Sequence, residues 1–301
     1  MKVDTSVFRS LGRLRLQTPG AVRGHQQGER LAQATGSGVE FSDHRPYQSG
    51  DDLRRVDWNA WQRQPEQVVM RLFSEDRNMR VVVLVDATGS MGTRADTDGR
   101  SKLDHAGTLA AGLALLCLTN RDFVRVGCYG GKHGAEAATG HDMSALPGVL
   151  AFLDRTEVGR GLADPTSILV ALSGGRRSDM AVLVSDMLAP VDELEDTLRT
   201  LASIGRTPIL LHVVSPDDIA PDLSRGQRLV DAETGDSVEI PGGPDITRAW
   251  QEAVLEWMTD LDARCRRLGI RRIEVPTDQA IPTLFRTKLQ RAGLVQLGTR
   301  G

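Results

Sequence analysis

The run Val81-Val82-Val83-Leu84-Val85 ends abruptly in Asp86, and the loop after it, Ala87-Thr88-Gly89-Ser90, carries hydroxyls at alternate positions. A short β-branched run with no polar face reads as a strand buried on both sides, the kind that parallel sheets bury between two layers of helices. In open parallel sheets, ligands bind beyond the carboxyl ends of the strands. Asp86, Thr88 and Ser90 therefore stand where a ligand is expected, and all three offer the oxygen that a hard divalent cation prefers.

From residue 79 onward, strand patterns alternate with helix patterns. Strands are predicted over 80–86, 123–129, 180–186, 208–214 and 272–275, with an edge strand near 135–139. Helices are predicted over 102–119, 143–153, 166–172, 191–204, 246–268 and 282–290, and a hairpin over 227–240 turns at Thr234-Gly235. This order predicts an α/β fold: a doubly wound, mainly parallel, Rossmann-like sheet flanked by helices, occupying residues 79–301. A small N-terminal subdomain is expected over 1–78. A second apolar run, Met180 to Ser185, ends in Asp186, and the loop 159–167 leads into a helix through Thr166. If the two runs are neighbours, one cation can meet Asp86, Thr88, Ser90, Thr166 and Asp186. Mg²⁺ suits so few protein ligands, with Mn²⁺ or Ca²⁺ as alternatives. Taken singly, each of these groups can instead cap a turn or helix.

Composition narrows the function classes. The chain has 301 residues, 40% hydrophobic and 26% charged, with a net charge of −3. That balance gives no general attraction to nucleic acid. Three separated cysteines, Cys117, Cys128 and Cys265, fit neither a disulfide framework nor a zinc site and suggest a reducing, cytoplasmic setting. Residues 1–16 do not form a signal peptide, and the apolar stretch 108–118 is too short to cross a bilayer. Residues 4–16 are expected as a basic amphipathic helix, with Val7, Phe8, Leu11 and Leu14 on one face. It would dock on the protein's own body or, alternatively, touch a membrane surface.

Residues 36–73 are too aromatic for a disordered linker. Asp51 and Asp52 are expected to start a short helix running through Trp58. Two resemblances become visible at this point. Asp86-Ala87-Thr88-Gly89-Ser90 resembles the metal-ion-dependent adhesion motif of von Willebrand factor A domains, Asp-x-Ser-x-Ser followed by a distant Thr and Asp; Thr88 departs from Ser but keeps the hydroxyl. The segments Gly38–Phe41, Arg45-x-Tyr47, Gly50-Asp51-Asp52-x-Arg54, Val56-Asp57-Trp58 and Val69-x-Arg71-x-Phe73 resemble the signature of the DUF58 family, which precedes a von Willebrand A-like domain. The resemblance implies a non-enzymatic, metal-dependent protein-interaction module, with a MoxR-type AAA+ ATPase or its client as partner in a chaperone-like assembly. Arg45, Tyr47, Asp51, Asp52, Arg54, Asp57 and Trp58 are then either a structural ion-pair block or a partner surface.

Two alternatives belong to other classes. A metal-dependent phosphoesterase using Asp86 lacks the second Asp of haloacid-dehalogenase-type phosphatases, because Thr88 stands there; a metal-free scaffold needs no ligand. Neither Gly-x-Ser-x-Gly nor a Gly-x-Gly-x-x-Gly turn follows the first strand.

Overall fold

The computed structural model describes residues 1–17, 39–47, 56–63, 68–75, 78–94, 99–131, 137–159, 169–170, 172, 174 and 176–298, with backbone alone at 39–45, 59, 63 and 71–75. The strands in chain order are β1 (Leu14–Leu16), β2 (Val39–Pro46), β3 (Val69–Glu75), β4 (Arg80–Asp86), β5 (Phe123–Tyr129) and β6 (Ala137–Gly140). They continue as β7 (Ser178–Ser185), β8 (Gly205–Val214), β9 (Gln227–Val230), β10 (Ser237–Ile240), β11 (Arg271–Pro276) and β12 (Val295–Leu297). Contacts divide the chain into two compact units, one of Met1–Arg23 with Met79–Gly301 and one of Gly24–Asn78. The first residues thus group with the unit that resumes at Met79, whereas the sequence reading places residues 1–78 in one subdomain.

The larger unit is built on a six-stranded sheet ordered β11-β8-β7-β4-β5-β6, parallel except for β6 at one edge. Numbered within the sheet, that is the doubly wound order 3-2-1-4-5-6, and the winding reverses between β4 and β7. The apolar runs explain the two-faced burial. Val81, Val83 and Val85 enter one core cluster, while Val82 and Leu84 enter the other. Met180, Val182 and Val184 of β7 divide from Ala181 and Leu183 in the same way. This is the period of two that sends successive side chains to opposite faces.

The first face is covered by the Lys102–Thr119 helix, 15 of whose 18 residues are buried. A helix apolar on nearly every side has to be central, and this accounts for the 108–118 stretch. The second face is covered by Leu194, Leu198 and Leu201 of the Val191–Ile204 helix and by Leu261 and Cys265 of the Pro244–Arg267 helix. Among the described residues no helix is long and apolar enough to cross a membrane.

The N-terminus departs from expectation. Residues 4–16 form a 3₁₀ turn at Thr5–Val7 and a single α-turn at Phe8–Leu11, then β1. β1 pairs antiparallel with β12, joining the two ends of the chain. Leu11, Leu14 and Leu16 are all buried in the first core cluster. No amphipathic helix remains here to lie on a membrane surface, because alternation over Leu14-Arg15-Leu16 and pairing with β12 prevail over the helical pattern.

All three cysteines are free and buried. Burial pushes the Cys128 thiol up to about 12 and the Cys265 thiol to about 11. Since the thiolate is the nucleophile, the native protein is expected to show no rapid reaction with a disulfide reagent, and all three thiols after denaturation. A fast-reacting thiol in the native protein would contradict this packing.

In the smaller unit, β2 and β3 pair antiparallel with a bulge between Phe41 and Asp43. The expected helix ending at Trp58 instead begins there: it spans Trp58–Arg63, and Asp57 caps it by accepting from the Ala60 amide at 3.1 Å. Val56 is held in a bridge to Met70, which prevents a helix from running through it. Trp58 and Trp61 meet edge to face at 6.0 Å.

Candidate metal centre at the switch point

The reversal of winding puts the carboxyl ends of β4 and β7 side by side, and with them Asp86 and Asp186. Asp86 is buried, and both its oxygens are engaged. Oδ1 accepts from the Thr88 amide at 2.9 Å and the Thr88 hydroxyl at 2.6 Å. Oδ2 accepts from the Tyr129 hydroxyl at 2.7 Å and the Ser185 hydroxyl at 2.6 Å. Burial first, and the Asp186 charge second, raise the Asp86 carboxyl to about 6. The four donors favour its charged form but do not outweigh those two effects.

Asp186 Oδ1 accepts from Ser90 Oγ at 3.2 Å and the Leu188 amide at 3.2 Å. Its Oδ2 accepts from Lys102 Nζ at 2.8 Å. Lys102 is 1% exposed and also reaches Asp218 at 3.1 Å. Burial works against the ammonium charge, but Asp186 and Asp218 prevail and raise its pKa above the ordinary lysine value. The helix it begins is capped by a box in which Ser101 and Asp104 exchange hydrogen bonds. A cation in the first turn of a helix is electrostatically unfavourable, so Lys102 depends on the acidic rim for its place. Behind Asp186, His212 Nε2 lies 3.1 Å from the Asp186 carbonyl, and its Nδ1 lies 2.6 Å from Arg272 Nη1. A carbonyl only accepts and a guanidinium only donates, which fixes the neutral Nε2–H tautomer. Burial, then Arg272, lowers His212 to about 3.

The two loop hydroxyls have a particular relation. Thr88 Oγ1 donates its proton to Asp86 and Ser90 Oγ donates its proton to Asp186, yet the two oxygens lie 3.3 Å apart. Each hydroxyl has one proton. With both protons committed to carboxylates, the oxygens face each other through lone pairs. Neighbouring ligands on an octahedron of radius about 2.1 Å stand about 3.0 Å apart, so the spacing suits two ligands of one small cation. Among the described residues no group of three or more His, Cys, Asp or Glu side chains is disposed to hold a metal. A cation here would therefore rely on hydroxyl oxygens, with the carboxylates orienting them.

Of the residues expected at the site, Asp86, Thr88, Ser90 and Asp186 are brought together in one hydrogen-bonded cluster. Thr166 lies outside the described residues, though its loop departs from Gly159, whose amide donates to the Ala87 carbonyl at 3.0 Å. Asp51, Asp52 and Arg54 also lie outside them, as does the side chain of Arg45. Tyr47, Asp57 and Trp58 belong to the smaller unit. Sequence reasoning missed Lys102, Asp218, Tyr129, Ser185, His212 and Glu233. Only Ser185, beside Asp186 at a strand end, and Lys102, a basic residue opening a helix, left a local signal. A cavity of about 590 Å³ opens over the cluster, lined by Asp86, Thr88, Tyr129, Ser185, Glu233 and Trp257 among others.

Residues 43–257 match the family described as "Protein of unknown function DUF58", and the chain belongs to that family. The uncharacterized proteins Mb1516 of Mycobacterium bovis and Rv1480 of Mycobacterium tuberculosis are each 27% identical to it over 289 residues, 92% of this chain and 86% of theirs. Among solved structures, it is similar to BatB of Bacteroides thetaiotaomicron, at 12% identity and a TM-score of 0.43 over 72% of this chain and 99% of that one. It is also similar to the SpRpn10 VWA domain, at 10% identity and a TM-score of 0.38 over 69% and 94%. The doubly wound α/β class is defined by the strand order itself.

Proposed function

We propose that the rim formed by Asp86, Thr88, Ser90 and Asp186, with Thr166, is a metal-dependent docking site for an acidic residue of a protein partner. The observation that carries this reading is the pair of hydroxyl oxygens at 3.3 Å whose protons both belong to carboxylates. Charge supports it as well: Asp86, Asp186, Asp218 and Glu233 gather here, and Lys102 offsets one of them. Mg²⁺, or Mn²⁺ or Ca²⁺, would supply a positive centre with an exchangeable position open to a carboxylate. The von Willebrand A-like motif and the family signature suggest the partner class, a MoxR-type AAA+ ATPase or its client.

An enzymatic reading is less well supported. Asp86 as a nucleophile needs a free lone pair aimed at substrate, yet its two oxygens already accept four hydrogen bonds. His212, bound to Arg272 and a carbonyl, is not placed as a base on either loop hydroxyl.

Titration calorimetry with Mg²⁺ and Mn²⁺ tests the site. The wild-type chain is expected to bind one ion. Ser90→Ala is expected to weaken binding by on the order of tenfold or more, with a stability loss of only about 1 kcal/mol for the single hydrogen bond removed. Equal binding by the two proteins, or none by the wild type, would sink the reading. Capture of an AAA+ ATPase in Mg²⁺ and ATP, and its release by chelator, tests the partner class.

A further inference from the structure

The hairpin of β9 and β10 is an isolated two-stranded ladder, and such ladders are marginal on their own. Its strands are largely exposed, Val230 at 60% and Val238 at 58%. Its tip, in contrast, is tightly specified. The turn closes through the Asp231 amide to the Asp236 carbonyl at 2.7 Å and the Gly235 amide to the Asp231 carbonyl at 2.9 Å. The Asp231 carboxylate accepts from the amides of Glu233 at 2.7 Å and Thr234 at 3.0 Å. These bonds fix the backbone from which Glu233 projects.

The tip is seated directly on the metal loop. A Cβ on Gly89 would stand 2.4 Å from the Ala232 carbonyl oxygen, so only glycine lets the two backbones approach this closely. Glu233 Oε1 accepts from the Ser90 amide at 3.0 Å. Glu233 Oε2 is buried and, among the described residues, has no hydrogen-bond partner. A turn glutamate with a purely solvating role would direct both oxygens to water, and a structural one would pair both, because an orphaned buried carboxylate oxygen is expensive. The buried ammonium of Lys102 does not fill the gap, being bound to Asp186 and Asp218. Glu233 lines the same cavity as Asp86 and Thr88.

The geometry points to Glu233 as an internal ligand: its carboxylate takes the coordination position that a partner's acidic residue would occupy, and the hairpin caps the site until displaced. This rests on the metal-dependent docking reading above and adds its regulation. An intramolecular carboxylate acts at an effective concentration on the order of millimolar or higher. A partner must therefore displace it, and its apparent affinity falls by the fraction of molecules whose cap is open.

The test uses the full chain and Mn²⁺ alone, reading affinity and, by water-proton relaxation, the number of exchangeable waters on the bound ion. Glu233→Gln, which keeps size and removes charge, is expected to weaken Mn²⁺ binding about tenfold and to add one exchangeable water. Gly89→Ala, whose Cβ would fall 2.4 Å from the Ala232 carbonyl oxygen and 3.0 Å from Glu233 Oε2, is expected to push the carboxylate off and add the same water with its charge retained. Glu239→Gln, on the exposed strand β10, is expected to change neither quantity. If Glu233→Gln binds Mn²⁺ with wild-type affinity and hydration, the internal ligand is overturned while the docking site stands. A weaker affinity at unchanged hydration assigns Glu233 to the charge of the rim and also overturns ligation. If the wild type takes up no Mn²⁺, the docking reading falls, and the cap with it.

Discussion

Lys102→Met is expected to destabilise the folded chain by about 3–5 kcal/mol, the range for removing one partner of a buried ion pair. For a domain of this size each kcal/mol moves the melting temperature by about 2–4 °C, so the fall should be roughly 6–20 °C. Methionine nearly preserves the volume of the stem, so the loss is electrostatic in origin rather than a cavity. Asp186, 2% exposed, would lose its 2.8 Å ammonium contact and keep, among the described residues, the Ser90 hydroxyl and the Leu188 amide. It would also face Asp86 with less screening, and that repulsion already helps raise Asp86. A double-mutant cycle separates this from packing: adding Asp186→Asn to Lys102→Met should recover part of the loss, because the uncompensated charge is then gone. A melting temperature within a degree or two of wild type for Lys102→Met would show that the pair contributes little.

The sheet was legible because its signal is local. Five apolar residues before Asp86, and five followed by Ser185 before Asp186, announce buried strands whatever surrounds them, and alternation with helices makes a doubly wound sheet the simplest arrangement. The rule that ligands sit beyond strand ends at the switch point then selects Asp86, Thr88, Ser90 and Asp186. What could not be read is what the chain brings from a distance. Lys102 finds Asp186 across 84 positions and Asp218 across 116, and no periodicity encodes such a meeting. Glu233 sits in an ordinary polar turn, 143 positions from Ser90. The helix expected over residues 4–16 gives way to the β1–β12 pairing for a related reason: strands of three residues are shorter than any window that separates period two from period 3.6, so residues 4–16 read as helix in isolation. From sequence alone Asp57 falls inside a helix rather than at its cap, because Asp51-Asp52 offers an equally good start six residues earlier; the Val56–Met70 bridge that excludes this is a pairing across 14 positions with no local signal.

Gly130→Ala is expected to damage the fold and the site together. Gly130 follows β5 with φ of +75°, a conformation that costs an L-residue about 1–2 kcal/mol. A Cβ there would fall 2.5 Å from Thr88 Cγ2 and 2.8 Å from Thr88 N. Rotation of the threonine can relieve the first contact but not the second, so overpacking of about 1–3 kcal/mol adds to the backbone strain, for a total of roughly 2–5 kcal/mol. The exit of β5 is the floor of the Asp86–Ser90 loop: the Ala87 amide donates to the Tyr129 carbonyl at 2.8 Å, and the Tyr129 hydroxyl donates to Asp86. Displacing Thr88 therefore moves the hydroxyl that sits 3.3 Å from Ser90, and divalent-ion affinity should fall with stability. Adding Thr88→Ser, which removes only Cγ2, should restore a minor part of the stability. Gly148→Ala is the matched control, since nothing lies within 4 Å of its Cβ position in the Leu146–Arg155 helix; it is expected to gain about 0.5–1 kcal/mol from the lower entropy of the unfolded chain. Denaturant unfolding and Mg²⁺ titration of the three variants decide it. A Gly130→Ala protein as stable as wild type, with unchanged Mg²⁺ affinity, would mean that the β5 exit does not hold the Asp86–Ser90 loop in place.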